Sequence, residues 1–481
     1  MSEIVLATIN AKWIHPSLAL RLLKANLGSL ETHCTILEFA LRQPLKEKTA
    51  PIIAEHPRLL GLSVSIWNHL ATLELLKALE TEWKNETLKP FVVLGGPEVS
   101  WLPEDTEIFH YADYVIRGEG EESFRSLCFE LLGENHEAGE AKTAKTIFVG
   151  KCEAIVNINE ISSPYRLYTE EDLKRKLIYV EASRGCPFNC EFCLGSSRNQ
   201  PAAQKVREFP LEPFLADIDA LIKKGGRTFK FLDRTFNLDI DRTQRVMEFF
   251  LDRINHSPIC VHFEMVPSRF PPSLKKLISR FPAGTLRLEL GIQTFNAKTR
   301  ALLQMTGSID EELKTLEFLR AKTNTILHVD LITGLPGEDL ASLKSGFDRL
   351  WQILSKQGSE DKTPGGLSEI QLGILKCLPG TPITHHNEAY KMKYSDSPPY
   401  EVIETGVLSA TELEKIKNFA RFWELIVNRA PFPDLITILL PAGNPVFDRF
   451  MDLSDKLIEH FGRNWGIDRS ELQSYLCQTL L

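Results

Sequence analysis

Six short apolar segments, each followed by a stretch with helical periodicity, occupy residues 176–400 of the chain. Runs of β-branched and aliphatic residues predict strands, and the longer amphipathic stretches between them predict helices. Strands that alternate with helices form parallel sheets, and six βα repeats are two short of a closed eight-stranded barrel. We therefore expect a partial (β/α)6 barrel with strands near 177–181, 229–232, 260–265, 286–290, 327–332 and 370–375.

A second alternation of apolar runs and amphipathic stretches occupies residues 1–135. The apolar runs begin at Ile4, Cys34, Leu60 and Phe91. This pattern is typical of an α/β domain with a doubly wound parallel sheet, which has helices on both faces. Such sheets bind ligands at the carboxyl ends of their strands, where this chain carries polar residues and glycines.

The remaining segments predict the domain organisation. Residues 136–175 are weakly periodic and rich in turn residues, which indicates a linker. Residues 401–481 predict three amphipathic helices that cover the barrel mouth, separated by Pro431-Phe-Pro and Gly443-Asn-Pro. We expect four parts: the doubly wound domain (1–135), the linker (136–175), the partial barrel (176–400) and a helical C-terminal region (401–481).

Three cysteines, Cys186, Cys190 and Cys193, lie on a short loop just after the first predicted barrel strand. Thiolates this close together can hold one face of a four-iron four-sulfur cluster, which normally takes four cysteines, so one iron lacks a protein ligand. A structural zinc site is the alternative, although it usually takes two paired knuckles and the chain has no second Cys-x-x-Cys. The other six cysteines are expected to behave as small buried residues, with Cys377 as the exception.

The segment from Arg184 to Cys193, with the aromatic Phe192 before the last cysteine, resembles the signature of the radical S-adenosylmethionine (SAM) enzymes. The resemblance implies that the open iron is chelated by the amino and carboxylate groups of SAM. It also implies the partial barrel that the periodicity predicts.

Polar residues near the carboxyl ends of the predicted barrel strands are candidates for binding SAM, because function in such barrels sits at those ends. These candidates are Asp233, Arg269, Glu289 and Gln293. Arg269 is assigned to the SAM carboxylate, since a guanidinium can donate two parallel hydrogen bonds. An internal salt-bridge network is the alternative for any one of them. The segment Asp330–Glu338 resembles the family's Gly-x-Ile-x-Gly-x-x-Gly-Glu segment beside the adenine, which adds Gly334.

The order Leu94-Gly-Gly-Pro-Glu98, followed by residues 113–121, resembles the cobalamin-binding domain that precedes many radical SAM barrels. In that family the corrin ring lies on the strand ends, over small and glycine-rich loops. The residues that would contact it are Asn10, Ser65, Gly95, Gly96 and Glu98. A tight turn is the alternative explanation of the glycine pair.

The chain departs from the classical cobalamin domain after the first strand. It has Asn10-Ala-Lys-Trp-Ile-His15-Pro16 where that domain has Asp-x-His-x-x-Gly, with the histidine as lower axial ligand. The radical family commonly lacks this motif too, so the ring is expected to have no protein nitrogen below the cobalt. Ligation by His15 and a capping or surface role for it both stay open.

Beyond the sixth strand, Cys377 would lie at the barrel mouth, and it is the candidate catalytic residue as a radical or acid–base partner. Adjacent side chains of an extended backbone point to opposite sides, so His385 and His386 cannot easily bind one metal ion. We therefore expect both residues on a surface loop. The segment Tyr394–Tyr400 and the C-terminal tail resemble a bacterial branch of the cobalamin-type radical enzymes.

Net charge and the distribution of apolar residues indicate which classes of binding partner to expect. The formal net charge of -8 gives no overall attraction to nucleic acid. The N-terminal residues lack the basic and apolar regions of a signal peptide, and no apolar run approaches the ~20 residues of a membrane span. We expect a cytoplasmic protein without a membrane or nucleic-acid partner.

The two resemblances together imply a function. A radical derived from SAM would abstract hydrogen from an unactivated carbon of a small-molecule or peptide substrate, and cobalamin would deliver a methyl group. The electron would come from a donor such as flavodoxin or ferredoxin. A radical rearrangement or oxidation without methyl transfer is one alternative, and a non-catalytic corrin or iron–sulfur sensor is another.

Overall fold

The computed structural model describes residues 2–85, 89–133, 146–196, 206–355, 368–429, 431–441 and 444–480. The chain divides into two units. Unit 1 comprises residues 1–185 and 197–232, and unit 2 comprises residues 186–196 and 233–481. Within the ranges described, no helix is long and apolar enough to cross a membrane. The four domain boundaries expected from the sequence stay a prediction.

Unit 1 begins with a sheet in the order β2-β1-β3-β4-β5-β6, and every pair of neighbours is parallel. The strands are β1 (Ile4–Asn10), β2 (Cys34–Ala40), β3 (Leu59–Ser63), β4 (Phe91–Gly95), β5 (Tyr114–Ile116) and β6 (Ile147–Val149). The helices are α1 (Leu18–Ala25), α2 (Leu45–Ala54), α3 (His69–Glu82) and α4 (Glu121–Leu132). Strand β6 lies in the segment expected to be a linker.

Both faces of this sheet are covered because β1 is buried at all seven positions and apolar at all of them except Thr8 and Asn10, and its side chains alternate between the faces. Ile4 and Leu6 pack in one core with residues of α1 and α4. Val5, Ala7 and Ile9 pack in the other core with residues of α2 and α3. The doubly wound parallel sheet expected from the sequence is therefore confirmed.

The rest of unit 1 leads into and out of the cysteine loop. Its elements are α5 (Glu170–Arg175), β7 (Ile178–Val180), β8 (Ser183–Gly185), β9 (Val206–Glu208), α6 (Leu211–Lys223) and β10 (Thr228–Phe231). Strands β7 and β10 are parallel, whereas β8 and β9 form an antiparallel pair. The cysteine loop, residues 186–196, follows β8 directly.

Unit 2 contains a parallel sheet in the order β14-β13-β12-β11. Its elements are α7 (Ile240–Ile254), β11 (Cys260–Met265), α8 (Pro272–Ile278), β12 (Leu286–Gln293), α9 (Ala297–Leu302), α10 (Ile309–Lys322), β13 (Ile326–Thr333), α11 (Leu340–Leu354) and β14 (Glu369–Ile374). The six strands expected for the partial barrel are thus all formed, as β7, β10 and β11–β14. Every second residue of β12 and β13 is buried, which leaves one apolar and one polar face.

The C-terminal region of unit 2 adds a small antiparallel pair, β15 (Lys393–Tyr394) and β16 (Val402–Glu404). It ends in α12 (Ala410–Trp423), α13 (Pro433–Leu439), α14 (Phe447–Phe461) and α15 (Arg469–Leu480). The described residues therefore form four helices where we expected three, because the last expected helix is divided into α14 and α15 by Gly462, which ends α14 with a φ of 63°. Helix α13 lies where the second helix was expected, and Gly443 lies outside the described residues. Asp348 of α11 accepts hydrogen bonds from the backbone N–H groups of Val446 (2.7 Å) and Phe447 (2.8 Å), which caps α14.

Candidate functional site

The three thiols of the cysteine loop lie within electrostatic range of one another. Burial, together with the charges of the other two thiols, raises the pKa of Cys190 to about 12. Burial likewise raises the pKa of Cys186 to about 11, against the effect of a hydrogen bond from the Phe188 backbone. These raised pKa values favour the neutral thiol. A bound metal centre favours the thiolate, so it would lower them.

The residues of this loop fit a cluster better than a single ion. Within the described ranges, no three His, Cys, Asp or Glu side chains are close enough to hold one metal ion. A four-iron four-sulfur cluster places each cysteine on a separate iron, so its ligands need not share one ion. The three thiols of this loop therefore match the ligand set of a cluster with one open iron.

A basic side chain lies beside the loop. A Cβ atom added at Gly195 would lie 3.6 Å from Cys193 Sγ and 3.9 Å from Arg234 Nε, so both groups flank this glycine. The charge of Arg234 also lowers the pKa of the Cys186 thiol, against the larger effect of burial. Arg234 follows β10 and was not among the predicted contacts, although it adjoins Asp233.

The strand that precedes the loop is tied to the first sheet domain by ion pairs. Arg184 binds Glu181 through Nε (3.0 Å) and Glu121 through Nη2 (2.6 Å), and its Nη1 lies 3.4 Å from Glu119 Oε2. Arg207, opposite Arg184 in the β8–β9 pair, donates from Nη1 to Glu119 Oε2 (3.0 Å). These charges pair with each other, and they hold the pKa of Glu119 below its usual value despite burial.

The polar face of β11–β14 carries a row of charged side chains. Glu264, Glu289, His328 and Glu369 occupy one cross-strand register. His328 Nδ1 lies 2.7 Å from Glu369 Oε2, and its Nε2 lies 3.2 Å from Asp330 Oδ1. Although burial opposes it, these two carboxylates raise the pKa of His328 to about 10, so the imidazole is cationic.

Of the predicted SAM contacts, Glu289 and Gln293 lie on the same polar face of β12. Glu289 Oε2 is 3.1 Å from His262 Nε2. Gln293 has a positive φ of 64°, and its side-chain amide fills the space that a Cβ at Gly291 would need. Among the described residues, Gln293 Oε1 is buried and has no hydrogen-bond partner, so it can accept one from a ligand.

The other predicted SAM contacts are more dispersed. Asp233 is buried just after β10, whereas Arg269 is exposed and donates from Nη2 to the Leu238 carbonyl (3.2 Å). Gly334 has a φ of +84°, and a Cβ there would overlap Val402 of β16. The backbone and packing therefore require glycine at this position.

The segment after β13 also holds a buried acid that sequence reasoning did not assign. Glu338 is 2% exposed, and its Oε1 accepts from the hydroxyls of Thr294 and Ser342. Its Oε2 is buried without a hydrogen-bond partner among the described residues. Burial raises the pKa of Glu338 to about 7.

Cys377 lies just beyond β14. Its backbone N–H donates to the Tyr400 carbonyl (2.9 Å), and burial raises the pKa of its thiol. The two histidines that follow differ, since His385 is exposed while His386 contacts Glu191 of the cysteine loop at 2.7 Å. The expectation that both lie on a surface loop is therefore wrong for His386.

The predicted cobalamin contacts converge at the carboxyl ends of β1, β3 and β4. Asn10 ends β1, Ser65 follows β3, and Gly95 ends β4. Gly96 has a φ of +111°, and a Cβ there would lie 2.5 Å from the Val64 carbonyl oxygen. A Cβ at Gly95 would meet only the Ile116 carbonyl oxygen, at 3.8 Å, so the backbone is open to a ligand at that position.

Side-chain hydrogen bonds fix the loops at this edge. The Asn68 side chain accepts from the Ser65 N–H (2.7 Å) and donates to the Ile9 carbonyl (3.0 Å), which joins the loop after β3 to β1. Glu98, which is 4% exposed, pairs with Nδ1 of His69 at 3.0 Å. Glu98 is therefore hydrogen-bonded within the loop region, which suits a backbone-lined ligand face.

Two tryptophans that we did not assign lie on the loops at this edge. Trp13 follows β1 and is 47% exposed, and Trp67 follows β3 and is 53% exposed. Nδ1 of the nearby His15 lies 2.7 Å from the Tyr179 hydroxyl, with the two rings stacked at 6.0 Å. One nitrogen of His15 thus already has a protein partner.

Comparison with known proteins decides the family. Residues 180–349 match the radical SAM superfamily, and residues 4–128 match the B12 binding domain. Residues 388–474 match a protein family of unknown function, DUF4080. The chain therefore combines a B12 binding domain with a radical SAM domain, as cobalamin-dependent radical SAM enzymes do. Its cofactors are a four-iron four-sulfur cluster, SAM and cobalamin.

Two curated relatives of this radical SAM enzyme are methyltransferases by name. It is 32% identical over 185 residues to an uncharacterized methyltransferase of Pyrococcus horikoshii, which covers 35% of this chain and 39% of the relative. It is 28% identical over 351 residues to the 2-(S-pantetheinyl)-carbapenam-3-carboxylate methyltransferase of Streptantibioticus cattleyicolor, covering 68% of this chain and 48% of the relative. The chain thus spans less than half the length of either relative.

Solved structures of cobalamin-dependent radical SAM enzymes share the fold. OxsB with aqua-cobalamin and SAM bound gives a TM-score of 0.62 at 16% identity, over 99% of this chain and 75% of that chain. The methyltransferase TsrM from Kitasatospora setae gives a TM-score of 0.58 at 15% identity, over 82% of this chain and 80% of that chain. The fold class expected from the sequence is confirmed.

Proposed function

We propose that this radical SAM enzyme methylates an unactivated carbon of a small-molecule or peptide substrate. The observation that carries the proposal is the group of three neighbouring thiols on residues 186–196, which fits a cluster with one open iron. Methyl transfer is favoured because both curated relatives described above are methyltransferases by name.

The bound cofactors supply one-electron cleavage of SAM and a transferable methyl group. The chain holds and orients them. Cys186, Cys190 and Cys193 hold the cluster, and the cation of Arg234 beside them stabilises a negatively charged group at the open iron. The exposed Arg269 stays a second candidate for the SAM carboxylate.

The polar face of β12 contributes acceptors for SAM. Gln293 Oε1 lacks a partner among the described residues, so it accepts a hydrogen bond from the bound ligand. Glu289, Asp233 and the backbone at Gly334 complete the predicted contacts. We assign cobalamin to the edge formed by Asn10, Ser65, Gly95, Gly96 and Glu98, with the corrin ring against the open backbone at Gly95.

The wider context of the reaction is also part of this proposal. We place the enzyme in the cytoplasm, with a small electron-transfer protein such as flavodoxin or ferredoxin as the reductant. Cys377 is retained as a candidate catalytic residue at the end of β14. Full turnover by the Cys377→Ala variant would remove it.

The test is anaerobic reconstitution with iron, sulfide and cobalamin, followed by mass analysis of the products of SAM that carries a deuterated methyl group. We expect S-adenosylhomocysteine and a deuterated methyl group on cobalamin or substrate. Deoxyadenosine as the sole product would indicate radical chemistry without methyl transfer. Intact SAM in the presence of a strong reductant would indicate a sensor and overturn the proposal.

A further inference from the structure

Glu191 stands between the second and third cysteines of the loop and is 5% exposed. Burying a carboxylate is costly unless it is paired and hydrogen-bonded. The reason for an acid at this position therefore lies in its partners.

Both oxygens and the backbone N–H of Glu191 are engaged. His386 Nε2 donates to Oε2 at 2.7 Å, and Gln304 Nε2 donates to Oε1 at 2.9 Å. The Glu191 N–H donates to the Leu303 carbonyl at 3.2 Å. We call Glu191, Gln304 and His386 the Glu191 clamp. The clamp joins the cysteine loop to the end of α9 and to the turn after β14.

One outer member of the clamp, His386, also packs against a neighbouring ring. The side chain of His386 is 14% exposed, and its ring meets Tyr390 edge-on with a centroid distance of 5.9 Å. A Cβ at Gly337 would lie 3.1 Å from the Tyr390 ring, so Tyr390 packs against the segment 330–338. The position of the loop is thus coupled to the segment that we expect beside the adenine of SAM.

We infer that Glu191 and His386 are positioning residues for the iron–sulfur cluster, an inference that rests on the proposed function because it requires a cluster on Cys186, Cys190 and Cys193. The clamp holds the short loop so that its three thiols stay in place, and the Glu191 carboxylate adds a fixed negative charge beside them. Groups around the ligands of a metal site orient those ligands and tune the metal, as this arrangement would.

The test compares variants of the full chain after anaerobic reconstitution. His386→Ala and Glu191→Ala remove the hydrogen bonds, and His385→Ala is the matched control because His385 is the exposed neighbour. We measure iron and sulfide per chain, the rate of iron loss to a chelator, and the electron paramagnetic resonance spectrum of the reduced cluster with and without SAM. Loss of such partners lowers metal affinity about 10- to 100-fold, so we expect faster iron loss by a similar factor in both clamp variants only.

Glu191→Gln separates charge from geometry. The amide oxygen can accept from Gln304 while the amide nitrogen donates to the other tautomer of His386, so the shape of the clamp is kept. Cluster content should stay at the parent level, while the reduction potential rises because a negative charge beside the cluster is removed.

Each outcome decides between the two proposals. If the parent holds a cluster and the clamp variants match it in iron retention, spectrum and potential, this inference is overturned and the proposed function stands. A parent that retains no iron overturns the proposed function and this inference with it. Should Glu191→Ala fail to fold, His386→Ala and Glu191→Gln give the answer.

Discussion

The carboxyl edge of the first sheet and the polar face of β11–β14 differ in the groups that they present to a ligand. At the first edge, Gly95 leaves the backbone open, and Glu98 is already paired with His69. On the second face, Glu264, Glu289, His328 and Glu369 form one charged row. The first region thus presents exposed backbone, and the second presents charged side chains.

With cobalamin at the first edge and SAM at the second face, as we propose, the difference matches what each cofactor presents. A corrin is large and flat, so its binding requires close backbone approach, which side chains would prevent. SAM is compact and charged, and its amino and carboxylate groups require paired polar partners. Each of the following predictions tests one side of this contrast.

The largest effect is expected from Cys193→Ala. Loss of one of three thiol ligands should abolish cluster retention and SAM cleavage, while cobalamin binding stays at the parent level because the glycine edge does not depend on the thiols. Iron content and the cobalamin spectrum of the reconstituted protein measure both. Cys260→Ala, at the start of β11, is the matched control. Joint loss of iron and cobalamin would show that the two regions do not act separately.

His328→Gln should destabilise unit 2, because it removes the cation that lies between Asp330 and Glu369, while Glu369 keeps Arg287 at 2.6 Å. Since these side chains are 18–22% exposed, we expect a loss below the roughly 3–5 kcal/mol in the free energy of unfolding that removal of one partner of a fully buried ion pair costs. The folded pKa of His328, about 10, exceeds its ordinary value of 6.5, so its stabilisation is complete below 6.5 and is lost as the pH rises through 10. Denaturant unfolding at several pH values checks this, with the exposed His256→Gln as control. A defect that grows with pH would contradict it.

Gly96→Ala and Gly95→Ala should separate folding from cobalamin binding. Gly96→Ala forces a Cβ onto the Val64 carbonyl at a φ of +111°, so we expect a loss of about 1–3 kcal/mol in stability. Gly95→Ala meets no atom closer than 3.8 Å, so the stability should be unchanged. Its added methyl group should instead weaken cobalamin binding about tenfold, as overpacking does. Unchanged affinity in Gly95→Ala, measured by absorbance titration, would remove this edge from the cobalamin site.

The smallest effect is expected from Glu338→Gln. The folded pKa of Glu338, about 7, lies above its ordinary value of 4.5, so the parent loses stability as the pH rises from 4.5 to 7. The amide cannot ionise, so the variant should be more stable than the parent by about 1–2 kcal/mol at pH values above that range. Thermal unfolding of both proteins across this range checks the sign. A parent–variant difference that does not change with pH would contradict it.

Elements with strong local patterns could be predicted from the sequence. The six barrel strands are correct because β-branched runs such as residues 326–333 alternate buried and half-buried positions. The three-residue strand β6 was missed, since three residues are too few to show an alternation of apolar and polar side chains. The break between α14 and α15 was also missed, because we assigned helix boundaries only to the proline-containing segments and not to Gly462.

Side-chain pairs between distant segments could not be predicted. Glu191 and His386 are separated by 195 positions, and neither residue has a local pattern that indicates the other. The same applies to Arg234, which flanks Gly195 together with Cys193 although it lies on a distant segment of the chain. The cysteine spacing predicts that there is a site, whereas the residues that support it depend on the packed structure.

The ion pairs of Arg184 and Arg207 bear on how such enzymes could be recombined. Both guanidinium groups lie on the β8–β9 pair that flanks the cysteine loop, while Glu119 and Glu121 belong to the B12 binding domain. A fragment that starts at residue 176 would keep both arginines and lose these two acids. A B12 binding domain from another enzyme could therefore replace this one only if it supplied acidic residues at the positions of Glu119 and Glu121.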